Sequence, residues 1–125
     1  MKKILLFLLF AIAIITSSCD DVVNMGRRAS IISEDFVKDK VKYPATIDFD
    51  RLDYRWEPIN YDETSGIVYK KFTTKNVFGV PVQFVYKIEM SFLGGEWEDT
   101  NNWTYKYIVV EEIPSGKKYY YTPYN

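Results

Sequence analysis

Between Val82 and Phe92 the chain alternates. Val82, Phe84, Tyr86, Ile88, Met90 and Phe92 are apolar or aromatic, while Gln83, Lys87, Glu89 and Ser91 are polar, with Val85 the one exception. Successive side chains of a β-strand point to opposite faces, so a period of two held this long fixes a strand with one face on a core and one towards water. Such a strand needs antiparallel neighbours and a second layer to cover its apolar side.

The rest of the chain supplies both. Ile47 to Asp50 alternates, and Leu52 to Trp56 alternates again after a one-residue slip at Arg51, which predicts a bulge or a break between two short strands. Pro58 and Asn60 to Gly66 make a loop, Ile67 to Thr74 a strand, and Asn76 to Pro81 a turn built on Gly79 and Pro81. Gly94-Gly95 turns the chain, Glu96-Trp97-Glu98 starts its return, and Asp99 to Asn102 is a polar interruption before a strand from Trp103 to Glu111 with aromatics on one face. Pro114-Ser115-Gly116 reads as a turn, and Lys118 to Thr122 as an edge strand.

Ser30 to Lys42 reads as a short helix, with Ser33 as N-cap, Glu34 and Asp35 in the first turn, and Lys40 and Lys42 near the end. Ile32 with Phe36, and Val37 with Val41, stand four apart and make one apolar stripe; Pro44 closes the element. A helix this short needs packing to persist. The expected fold is therefore α+β: one short N-terminal helix on an antiparallel sheet of four to six strands.

The N-terminus has a different character. Met1-Lys2-Lys3 is basic, Ile4 to Ile15 is an unbroken apolar run of twelve residues, and Thr16-Ser17-Ser18 is small and polar. These are the three regions of a secretory signal, and the run falls short of the ~20 residues a membrane-spanning helix needs. Thr16-Ser17-Ser18-Cys19 resembles the lipobox of bacterial lipoproteins, with Thr16 where leucine is most often found. That resemblance implies acylation of Cys19 by chains such as palmitate, cleavage before it, and a lipid anchor in the cell envelope. Asp20-Asp21 looks like the acidic pair that steers some lipoproteins to the outer membrane or its surface.

Other roles for Cys19 fare worse. It is the sole cysteine, so it has no intramolecular disulfide partner, and the chain has no histidine to activate a thiolate. Residues 1–18 are thus expected as signal peptide, 19–29 as a tether and 30–125 as one domain. Two or three acyl chains hold a protein in a membrane where one binds marginally, because each buried methylene contributes ~0.8 kcal/mol. Without Lys2 and Lys3 the processed chain carries 14 basic against 17 acidic residues, a net charge of −3 and no basic stripe for nucleic acid.

A second resemblance covers about Phe36 to Val110. Tyr43-Pro44-Ala45-Thr46-Ile47-Asp48-Phe49, then Asn76-Val77-Phe78-Gly79-Val80-Pro81-Val82, then Gly94-Gly95-Glu96-Trp97 look like a small domain of bacterial lipoproteins and exported proteins. That pattern reads Pro-Ser-Thr-Ala, Asn-x-Phe-Gly and Gly-Gly-x-Trp. The resemblance implies a cystatin-like helix-on-sheet fold and brings no catalytic residues.

Chemistry is sparse. Asp48, Asp50 and Asp53 lack the glycine and closing glutamate of a calcium loop, and read as a solvated strand face with Arg51 as partner. Phe49 and Leu52 between them are expected to be buried. Glu96, Glu98 and Asp99 read as a polar turn, and Asn102-Trp103-Thr104 as a chance glycosylation sequon. Tyr105 and Tyr107 are expected in the sheet core. Trp97, Trp103, Tyr119, Tyr120 and Tyr121 are the candidate partner-binding residues, since aromatic faces give contact area at small entropic cost. Three consecutive tyrosines cannot all face inward from a strand. The expected protein is a non-catalytic binding module with an envelope protein or glycan as partner; the alternative is a small inhibitor or protective protein acting on an envelope or foreign enzyme. No cofactor or metal is expected.

Overall fold

The computed structural model describes residues 25–41 and 46–124. The expected signal peptide, Cys19, the first part of the expected tether and the helix end expected at Lys42 to Pro44 lie outside the described residues. Helix α1 covers residues 25–40. Five strands follow: β1 (Asp48–Pro58), β2 (Ser65–Lys75), β3 (Pro81–Phe92), β4 (Trp103–Ile113) and β5 (Lys118–Tyr121), with a 3-10 turn at Thr100–Asn102 before β4. They form one antiparallel sheet in the order β1-β2-β3-β4-β5. The domain is α+β, one helix packed on a five-stranded open sheet.

The core lies where the alternation demands it. Val68, Ile88 and Ile108 sit side by side across β2, β3 and β4, all fully buried. Tyr86 pairs with Val110, and Met90 with Tyr105, on the same face. Onto this face α1 lays Ala29, Ile32 and Val37, with Phe36 against the Tyr105 ring at 4.9 Å between centroids. At one end Phe72 stacks on Phe84 at 5.0 Å, with Phe49 packed beside it.

Four expectations need correction. Residues 25–29, read as tether, belong to α1, and Ala29 is fully buried. Gly26 and the two arginines after it hide the helical spacing of Met25, Ala29, Ile32 and Phe36. That glycine is required by proximity, since a Cβ there would stand 2.9 Å from the Trp56 Cβ. Ser33 is accordingly no N-cap but a buried residue in mid-helix.

Leu52, expected inside, is almost wholly exposed. The β1–β2 register shifts between Phe49 and Tyr54, so the slip at Arg51 is an irregularity that leaves Leu52 in solvent at the sheet edge while Phe49 and Tyr54 pair with Phe72 and Lys70. Tyr107 leaves the core in a similar way. The β3–β4 register shifts between Glu89 and Met90, leaving Lys106 as an extra residue. Tyr105 and Ile108 can then both face α1, and Tyr107 turns to the opposite side.

Gly66 is where β2 passes closest to a neighbour. A Cβ there would lie 2.6 Å from two atoms of the Trp56 ring and 2.7 Å from the Glu57 carbonyl. Neither the packed ring nor the backbone can yield readily, so Gly66→Ala should destabilise the domain by about 1–3 kcal/mol in urea unfolding. An unchanged midpoint would show that the strand has room the packing does not reveal.

Candidate functional site

The five aromatics singled out from the sequence do not form one surface. Trp103 is buried, stacks obliquely on Phe92 at 4.8 Å, and donates its indole N–H to the Trp97 carbonyl at 2.8 Å. Trp97 is half-buried against the core, with the Arg28 guanidinium 5.6 Å over its ring. Tyr119 and Tyr121 pair with Val110 and Ile108 and pack on the helix side. Tyr120 alone points to the other face, 68% exposed. The tyrosine run thus splits in, out, in, as a strand must.

The polar clusters also resolve into structural roles. Asp53 pairs with Lys71 at 3.7 Å, whereas Arg51 reaches past its neighbours to Glu34. Asp99 accepts the Asn101 N–H at the 3-10 turn, and the Asn102 amide donates to the Glu96 carbonyl at 2.9 Å. Among the described residues no group of three or more acidic, cysteine or histidine side chains is placed to hold a metal ion.

Two arrangements stand out that the sequence reading did not single out. The first is the sheet face away from α1. Arg55, Tyr69, Lys87, Val109 and Tyr120 form one row across all five strands through successive pairings. Arg55 lies 4.0 Å over the Tyr69 ring, and Lys87 is 6.0 Å from that of Tyr107. Partial burial, and then the nearby Glu89 carboxylate, push the Tyr107 hydroxyl above the usual phenol range. A shallow depression of about 470 Å³ runs over this face, where Arg55, Lys71, Lys87 and Lys118 outnumber Asp53 and Glu111. The alternation of each strand held this information, but only the register between strands assembles it.

The second is a polar network between α1 and the sheet. Lys70 stands on the helix-facing side of β2 between Val68 and Phe72, with its side chain 1% exposed. Its ammonium donates to Glu34 Oε2 at 2.5 Å and to Ser30 Oγ at 2.9 Å. Glu34 Oε1 lies 3.6 Å from Arg51 Nε. Ser33 donates to the Ser30 carbonyl at 2.6 Å, so the 2.8 Å contact between Tyr86 and Ser33 has the phenol as donor.

A serine 2.9 Å from a lysine has the spacing of a nucleophile and its base. Here the lysine donates in both contacts as the cation of an ion pair, with no lone pair to take the serine proton, and Ser30 is sealed from solvent. The geometry suits holding a helix on a sheet. A scan against protein-family models and searches of curated proteins and of solved structures returned no match. Function must therefore be argued from these two arrangements and the sequence.

Burial pushes the Tyr86 phenol far above its usual range, and the Glu34 carboxylate adds to it. The folded state then keeps a proton that the unfolded chain loses near pH ~10. The resulting stability is fully present below that pH and falls as pH rises beyond it. In Tyr86→Phe the decline in unfolding free energy above pH ~10 should be shallower than in the parent. Parallel declines would show that Tyr86 ionises as freely folded as unfolded.

Proposed function

We propose that the chain is a lipid-anchored protein of a bacterial cell envelope, held by acyl chains on Cys19, whose domain is a non-catalytic binding module. The observation that carries the binding reading is the open sheet face, where tyrosines and cations lie in register across the strands. Tyrosine rings stack on sugar faces, and cations placed over them meet negative charge. Four cations against two carboxylates over the depression suit an acidic glycan of the envelope as occupant.

The anchor and the face are tested separately. Cys19→Ala should abolish labelling by radioactive fatty acid and leave the precursor uncleaved; continued labelling would remove the anchor. Tyr69→Ala combined with Lys87→Glu should weaken retention on an immobilised polyuronate by about tenfold or more, since each cation–π or stacking contact contributes ~0.5–2 kcal/mol. Retention equal to that of the parent would remove the glycan.

A second reading, an inhibitor of an envelope or foreign enzyme, is favoured by the β2–β3 turn. Val77 and Phe78 are largely exposed there and Val80 is half exposed. The turn is internally braced, because Asn76 Oδ1 accepts the N–H groups of Phe78 at 2.9 Å and Val80 at 3.1 Å. A braced apolar tip loses little entropy on entering a cleft. Phe78→Ser should abolish capture of an enzyme while leaving glycan retention intact, which separates the two readings.

A further inference from the structure

We propose that the cavity between α1 and β1 binds a small organic oxyanion, a carboxylate or phosphate head on a short apolar body. This site lies on the helix side of the sheet and goes beyond the glycan reading, which concerns the opposite face. The cavity holds about 530 Å³, within the size range of small-molecule sites. Arg27, Arg51 and Lys70 line it against the single carboxylate of Glu34, so two positive charges stand uncompensated within its walls.

The arginines keep donor capacity for a guest. Among the described residues, two of the three N–H bonds of Lys70 have acceptors, Glu34 and Ser30. Arg51 stands 3.6 Å from Glu34 through Nε, beyond hydrogen-bond length, its side chain is 78% exposed, and no ion pair to any other acid is found for it among the described residues. An arginine edge of that kind accepts a carboxylate or phosphate through two parallel hydrogen bonds. Arg27, one helical turn before Ile31, has no ion pair among the described residues either.

Glu34 fits this scheme as a positioning residue. One of its oxygens holds Lys70 in place and the other faces Arg51, so it keeps both cations beside the cavity. Ile31, Leu52 and Tyr54 form the remaining wall and suit an apolar body too large for a bare ion to need. The exposure of Leu52, which the core does not explain, has a use here. Stability alone does not account for the network, because apolar residues in place of a buried ion pair are often no worse.

The test is an NMR titration of the full chain in detergent micelles with benzoate and with phenyl phosphate, benzyl alcohol serving as the uncharged control. Either anion should give saturable shifts of the arginine Nε–H signals and of the Glu34 and Lys70 amides, and the tighter of the two identifies the head group. Arg51→Gln and Arg27→Gln should each weaken binding by about tenfold or more, the loss of one charge-assisted contact. Both arginines are exposed and lie on different elements, so one variant stays readable if the other disturbs the fold. Absence of saturable shifts with both anions, equal shifts with benzyl alcohol, or undiminished binding by both glutamine variants would overturn the site.

Discussion

Removing a charge from water carries a penalty of several kcal/mol, and the domain does this twice, with Glu34 on α1 and Lys70 on β2. The pair is tolerable because the Lys70 contacts to Glu34 and Ser30 are short. Its consequence is geometric. An apolar helix face can slide by a turn along an apolar sheet with modest loss, whereas sliding here would leave two buried charges unmatched. Tyr86 and Ser33 repeat the constraint one strand further in. The helix therefore has one position, and Gly26 against Trp56 agrees with it.

With α1 fixed on one face, no other described element covers the opposite face of the sheet. The same strands thus do two jobs. Their inward residues build a core of aliphatic and aromatic side chains, and their outward residues array tyrosines and cations in register. A domain of this size with no disulfide available must draw its stability from that one-sided core. The proposed partner would meet the face left over, without disturbing what holds the fold together.

Much of this was legible in the sequence. The alternation of Val82 to Phe92 set the central strand, the slip at Arg51 marked the β1 irregularity, and the tyrosine run had to divide between faces. What escaped was decided by pairing. Lys106 looks like any exposed lysine until the register against Glu89 and Met90 shows it as the extra residue that turns Tyr107 outward. Lys70 lies in the run Ile67 to Phe72, where apolar residues on both faces blur the period, so its inward direction was hidden. Glu34 read as a first-turn acid because a glycine and two arginines concealed the earlier start of α1. The hydrogen bond from the Trp103 indole to the Trp97 carbonyl, which helps seat the Trp103 ring in the core, joins loop and strand in a way no spacing rule announces.

The claim that the ion pair fixes the helix is tested most directly by a double-mutant cycle on unfolding free energy with Glu34→Leu, Lys70→Met and their combination. Each single change should cost about 3–5 kcal/mol by leaving one charge buried alone, and the double should recover most of that loss. Losses that simply add would mean that the two residues act independently and that the helix is held by its apolar face.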